Sequence, residues 1–372
     1  MATGKDQKPK IGGTKMINLE ISAEIKGIKY KPFLCKELKT FDFTNIDVAL
    51  NEEPSFKLRI DDKNEIAVSW WVSPKRTRSY PYARVYDTLA FPCKRVTIIP
   101  VMKDEGADGD RDFLQWDTVS LMSLLGIYVI ISYYFDASKN PKFKNKITNQ
   151  KFDINHIKSE ITGLVFYQSD ALHWNLSQLD KVGEIAKLAL KHYKLISQKC
   201  RVKMHSPKPV EKRINRIRES KEKFMEESRK LAEKAQKRER VTKQPKENLS
   251  GIKAALTIKN YLGGVYHFTC DEVEIHDNEL YLIEGKHSRE KKLPSLDDIK
   301  DGLLRMVVFT NLENVRIGEK EYRPVSILKL TTAKDFDLKR LENSEIRELI
   351  QKLKKEAREN RFRLLINNTF ID

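Results

Sequence analysis

The sequence predicts an α/β protein, with a mixed sheet flanked by helices and an α/β extension on its N-terminal side. Three observations predict this. Short apolar runs with strand texture alternate with segments of helical period. Hairpin signals, two alternating runs around a polar turn, occur in both halves of the 372-residue chain. A highly charged stretch almost free of glycine lies between those halves.

Taken in order, residues 1–17 are polar and rich in Gly and Lys, so they read as a disordered tail with no signal-peptide core. Residues 18–204 form the expected N-terminal α/β domain. Its texture is β-like from about Asn18 to Pro100, where "SFKLRIDDKNEIAVSWWV" is a hairpin around Asp61–Asn64 and "VTIIPV" is a continuous apolar strand. "GADGDRDFLQWDTVSLMSLLG" reads as a loop entering a helix, with Asp110 or Asp112 as N-cap and Gly126 closing it. "IYVIISYYF" is the next buried strand, followed by helices near Ile154–Tyr167 and Ser177–Ser197.

Residues 205–247 read as a charged helical linker. Ile214, Ile217, Phe224 and Leu231 take heptad positions, but Lys221 and Ser228 interrupt them, which argues against a coiled coil. The stretch is either a plain connector or a helix tracking DNA backbone on its basic side. Residues 248–372 follow. "LSGIKAALTIKNYLGG" reads as a helix ended by glycines, then comes a second hairpin. "LPSLDDIKDGLLRMVVFTNL" is a helix opened by Ser295 and Asp298, with Ile299, Leu303 and Met306 facing inward. "VSILKLTT" is a strand and "NSEIRELIQKLKKEARENRF" a closing amphipathic helix. This segment is one core strand short, which the N-terminal half would have to provide. No sequence repeat is evident, although the stretches after Thr97 and after Leu280 share a strand-loop-helix-strand order, with Lys103 and Lys286 near the first strand's end.

Seventy Lys and Arg face 53 Asp and Glu, a formal charge of +17. Such an excess points to a polyanionic partner, because basic side chains that neutralise phosphates release condensed counterions. A membrane surface is the rival, but the most apolar run, "LMSLLGIYVIISYYF", is shorter than the ~20 residues of a membrane span. Cys35, Cys93, Cys200 and Cys270 form no CxxC pair, so zinc ribbons and disulfide frameworks are not expected and a reducing cytoplasm is. There is no Walker A sequence and no Gly-rich cofactor loop.

The second hairpin, "CDEVEIHDNELYLIEGKHS" (270–288), carries the chemistry. With Asp277-Asn278 as a two-residue turn, Ile275 faces Leu280, Val273 faces Leu282, Asp271 faces Glu284 and Thr269 faces Lys286, all on one side of the ribbon. Opposed Cβ atoms stand ~5 Å apart. Two carboxylates at that separation repel, and one stays protonated unless a cation joins them. A divalent ion resolves this. Oxygen ligands without a histidine cluster suit Mg²⁺, with the Gly285 carbonyl as a third donor. Lys286 would then orient or help deprotonate a water and offset charge on a phosphate. The alternative is a surface hairpin whose charges form ordinary ion pairs.

At these residues the chain resembles the PD-(D/E)XK nuclease superfamily. Asp271 matches the first acid, Glu284-Gly285-Lys286 the acid-x-Lys element, and Ser295–Asn311 the helix that follows; the resemblance covers about 249–335. Cys270 stands where the motif has proline. Some members add an acid from a preceding helix, for which Glu247 is the nearest candidate. The resemblance implies a restriction-endonuclease-like core in 248–372, with Asp271, Glu284 and Gly285 as Mg²⁺ ligands and Lys286 as the catalytic lysine. It further implies a type II restriction enzyme that cuts double-stranded DNA at a short sequence as a homodimer, within a restriction-modification pair. A structure-specific repair or recombination nuclease and a non-catalytic nucleic-acid-binding protein are the alternatives.

DNA binding and recognition would fall to residues 18–204. "SWWVSPKRTRSYPYARVYDTL" interleaves Lys75, Arg76, Arg78 and Arg84 with aromatic residues, suited to base edges and stacking or to a hairpin edge with arginines laid over core aromatics. Arg289 in "HSREKK" extends the basic rim. "KDEGADGDRD" (103–112) is a rival metal site, or simply the acidic start of a helix.

Overall fold

The computed structural model describes residues 19–76, 78–211, 226, 230, 252–261, 264–290, 292–333 and 344–371. The expected tail 1–17 and most of the expected linker, Glu247 included, lie outside the described residues. The class is mixed α/β, as expected.

The first half runs β1 (Leu19–Ile25), β2 (Thr40–Asp42), α1 (Ile46–Glu52), β3 (Ser55–Arg59), β4 (Glu65–Trp70), α2 (Pro81–Tyr86) and β5 (Arg95–Pro100). It continues with β6 (Met102–Asp104), β7 (Arg111–Phe113), α3 (Trp116–Leu124), β8 (Ile127–Ser132), β9 (Tyr134–Lys139), β10 (Ile147–Phe152), α4 (Ile154–Val165) and α5 (Ala171–Cys200). The second half holds β11 (Ile252–Asn260), β12 (Val265–His276), β13 (Glu279–His287), α6 (Leu296–Phe309), β14 (Glu313–Ile317) and β15 (Lys320–Glu321). Then come β16 (Arg323–Thr331), α7 (Ser344–Asn360), β17 (Arg363–Ile366) and β18 (Thr369–Phe370). Five strands make a smaller sheet, β2-β3-β4-β5-β8, and nine make a larger one, β15-β14-β1-β11-β12-β13-β16-β17-β18.

The β3–β4 hairpin closes as its turn chemistry demands: the Asp61 carboxylate accepts from the Lys63 and Asn64 amides at 2.8 and 2.9 Å. β5 and β8 then add in parallel, carrying the continuous apolar runs expected of strands covered on both faces. Neither Asp110 nor Asp112 caps α3. The preceding residue is Gln115, without a side-chain cap bond, and Asp112 lies in β7, where it accepts from Ser73 Oγ at 2.8 Å. The acids are drawn away by nearby donors before the helix begins.

The stretch expected to be a glycine-terminated helix is instead strand β11. It lies between parallel β1 and antiparallel β12, with Ala254, Leu256 and Ile258 fully buried. Its Ala and Leu favour helix in isolation, but pairing on both edges and burial of the Ala254, Leu256 and Ile258 face outweigh propensities of a few tenths of a kcal/mol. β1, from the stretch 18–204, pairs along its whole length with β11, from Leu19↔Ala254 to Ile25↔Asn260. The strand expected to be missing from 248–372 is β11 itself, and β1, from the start of the described residues, adds beside it.

One hydrophobic core runs through both halves. Polar locks join them. Lys300 of α6 meets Asp87, just past α2, at 2.5 Å with both side chains buried. The Glu356 carboxylate of α7 accepts from Tyr30 and Tyr86 hydroxyls at 2.7 Å and from the Phe33 amide at 2.9 Å. Asn260 Nδ2 and the Tyr266 hydroxyl both donate to Ser120 Oγ of α3, at 2.9 and 2.8 Å. Gly264 makes this approach possible, since a Cβ there would overlap Ser120 Oγ. Among the described residues no helix is long and apolar enough to cross a membrane.

Candidate active site

β12 and β13 turn at Asp277, whose φ of 53° is the left-handed conformation a tight hairpin requires. Their register is the expected one, through Ile275↔Leu280, Val273↔Leu282 and Glu272↔Ile283. The paired register ends at Glu272↔Ile283, one step short of the expected Asp271–Glu284 opposition. At this point β12 bulges against its other neighbour: Ala254 pairs with Cys270 but Ile252 with Val273, so Asp271 and Glu272 share one opposing position. Bulges re-aim side chains. Here the Asp271 carboxylate crosses to β13 and accepts from the Gly285 amide at 3.0 Å. Nearer the turn the apolar line is less enclosed than expected, and Ile275 is exposed.

Glu284 is buried, at 4% exposure. Its Oε1 lies 3.1 Å from Lys286 Nζ and 4.0 Å from Arg305 Nε, while Oε2 has no hydrogen-bond partner among the described residues. Burial, and then the Asp271 charge, push the Glu284 carboxyl up to about 8, against the pull of Lys286 and Arg76. Burial works to lower the Lys286 ammonium, but Glu284 and Asp301 outweigh it and leave its pKa raised. Lys286 therefore stands as a cation, held by Asp301 Oδ2 at 2.6 Å.

Asp301 was not singled out by sequence reading. It belongs to α6, and nothing in spacing separates it from Asp297 and Asp298 in the first helical turn. What brings it to Lys286 is the close seating of α6 on the sheet. A Cβ at Gly302 would meet Leu328 Cδ1 at 2.8 Å and Lys286 Cε at 3.3 Å. Arg305, one turn on, is buried with its guanidinium 4.3 Å from the Phe268 ring centre and Nη1 unpartnered among the described residues. Arg76 reaches the same ring from the first half, at 5.8 Å. On the opposite face of the sheet Glu272 and Lys329 form a buried ion pair at 2.8 Å.

The residues expected to touch DNA divide three ways. Lys75 and Arg289 are exposed. Arg76 borders the acidic site, and its charge is felt by Glu284. Arg78 and Arg84 are turned inward. Arg78 pairs with Glu105 at 2.6 Å, with Asp112 at 3.2 Å and with Asp110. Arg84 lies 4.4 Å over the Trp70 ring, donates to the Trp70 carbonyl at 2.9 Å, and is pushed down to about 10 by burial. The rival acidic loop is likewise taken up. Burial raises Glu105, but Lys146, Lys103 and Arg78 overcome this and bring it to about 2.

Among the described residues no three or more His, Cys, Asp and Glu side chains are arranged to hold a metal ion. The fit to Mg²⁺ rests on Asp271 and Glu284 alone, which is the usual complement for an ion that keeps most of its waters. The unpartnered Oε2 of Glu284 is the buried acceptor such an ion would satisfy. Comparison with family models, with curated proteins and with solved structures gave no match to this chain.

Proposed function

We propose that the chain is a Mg²⁺-dependent endonuclease of the PD-(D/E)XK type that hydrolyses phosphodiester bonds of double-stranded DNA at a short specific sequence. The observation that carries the reading is Glu284: a buried carboxyl beside Asp271, one oxygen without a partner, and a lysine at 3.1 Å. Asp271 and Glu284 would hold the ion, with the Gly285 carbonyl as the further donor that the family resemblance implies. Bound Mg²⁺ supplies Lewis-acid polarisation of the phosphate and a lowered pKa for its water.

The rest falls to side chains. Lys286 orients the attacking water and offsets charge gathering on the phosphate. Because Asp301 and Glu284 keep it protonated, it acts as a donor and not as a base. Arg305 and Arg76 add positive charge beside the same carboxylate. In the reaction the water oxygen bonds to phosphorus, one ester P–O bond breaks, and a water proton ends on the departing oxygen. The charge of +17 favours a polyanionic substrate. The free thiols suit the cytoplasm, where a restriction enzyme would work.

The test is digestion of phage DNA with Mg²⁺ and sequencing of the ends. Breaks at one short sequence support the proposal. Breaks confined to branched or damaged DNA favour a repair nuclease. Intact DNA, with Asp271→Ala and Lys286→Ala binding it like the wild type, leaves a non-catalytic binder.

A further inference from the structure

Strands β3-β4-β5-β8 and β12-β13-β16-β17 have the same order and the same directions: antiparallel, then parallel, then parallel. The connections match as well. Each set opens with a hairpin, crosses through a helix (α2 or α6) to its third strand, and crosses through another (α3 or α7) to its fourth. The insertions differ, β14–β15 in the second half and β6–β7 in the first.

The correspondence extends to single positions. As many residues separate Trp71 from Tyr80, the cap of α2, as separate Lys286 from Ser295, the cap of α6. In that alignment Glu284 falls on Ser69, Lys286 on Trp71 and Asp301 on Tyr86. Across the hairpin, Asp271 falls on Ser55, which pairs directly with Ser69. Ser55, Ser69, Trp71 and Tyr86 are all buried. Asp271, Glu284, Lys286 and Asp301 are thus each replaced in the first half by a serine or an aromatic residue.

The matching helices meet. α2 packs on α6, and the Lys300–Asp87 pair is sealed between them. From Gly302 to Phe309 every residue of α6 is buried, so this part of the helix offers no face to a second copy.

We propose that the chain is an internal pair of one fold in which the first half has lost its acids and fills the place of a partner subunit. Each folded chain then carries one hydrolytic centre and cuts one strand of a duplex. This replaces the homodimer that the family resemblance implies, and it rests on the endonuclease reading of the Glu284 site.

The test uses the full chain on supercoiled plasmid with Mg²⁺, together with sedimentation of the chain on a short duplex in Ca²⁺. We expect nicked circles to form at a rate proportional to protein concentration, linear DNA to arise only from accumulated nicks, and one chain to sediment per duplex. Glu284→Gln should slow nicking by ~100-fold or more, whereas Ser69→Ala should leave the rate within about twofold of wild type, as expected for a side chain outside the reacting groups. Linear DNA made directly, two chains per duplex, or a large loss in Ser69→Ala overturns the proposal while the nuclease reading stands. Absence of any strand break, or nicking that persists in Glu284→Gln, removes both.

Discussion

Replacing Glu284 by glutamine should remove part of the pH dependence of the protein's stability. The Glu284 carboxyl is raised from 4.5 to about 8 by burial and by Asp271, so folding favours its protonated form. The sign follows from linkage. This stabilisation is complete below about pH 4.5, where folded and unfolded chains are both protonated at this position, and it is lost as pH rises towards 8. At ~1.4 kcal/mol per pH unit the full swing is about 5 kcal/mol, and side-chain relaxation and water entry reduce the expected value to ~2–5 kcal/mol. Glutamine has nearly the same shape, can still accept from Lys286, and cannot ionise. The two proteins should therefore differ little at pH 5, and the variant should be the more stable by several kcal/mol at pH 9. Urea denaturation in EDTA, read from pH 5 to pH 9, measures the gap directly. A constant gap across that range would mean that Glu284 is not a buried neighbour of a second carboxylate, and the candidate site would lose its basis.

Other outcomes follow from the same geometry. Mn²⁺ binding at pH 7 should release about one proton per ion, because the ion needs an ionised Glu284 that is otherwise protonated below about 8; calorimetry in buffers of different ionisation enthalpy reads this, and zero release would contradict it. Lys329→Met should lower stability by ~3–5 kcal/mol by stranding buried Glu272, while Lys329→Met with Glu272→Leu should recover most of the loss; urea midpoints decide, and equal losses in both variants would count against an isolated pair. Arg289→Ala should reduce the salt slope of DNA binding by ~1, whereas Arg84→Met should leave the slope unchanged and lower the melting temperature. A changed slope in Arg84→Met would place that guanidinium on the DNA.

Much of the candidate site was legible because it depends on short-range geometry. A two-residue turn at Asp277-Asn278 fixes which side chains oppose one another, and the observed register follows it as far as Glu272↔Ile283. What lay beyond was set by tertiary contact. Asp301 joins Lys286 because Gly302 lets α6 sit close to Leu328, a relation with no local signature. Arg78 and Arg84 look like any surface arginines in a basic, aromatic stretch; only the fold shows Glu105 and Trp70 waiting for them. β11 was misread for a related reason. The Ala254-Ala255-Leu256 run breaks the alternation that distinguishes a strand, and the alanines then suggest a helix. The likeness between the halves is also spatial. Ser55, Ser69 and Trp71 share no chemistry with Asp271, Glu284 and Lys286, so only strand direction and connection reveal it.

β1 sits between β14 and β11, inside the larger sheet, although it is the first strand among the described residues. During synthesis Leu19–Ile25 emerges long before Ala254–Asn260, its parallel neighbour, has been made. A strand that must wait for so distant a partner makes closure slow and late. The sheet bearing the acids can thus be completed only after Arg363–Ile366 and Thr369–Phe370 have left the ribosome, and a product ended before α7 would lack the last crossover. The delay is set by strand order alone. Proteolysis of stalled nascent chains would expose it as a β1 that stays cleavable until β11 and β14 have emerged.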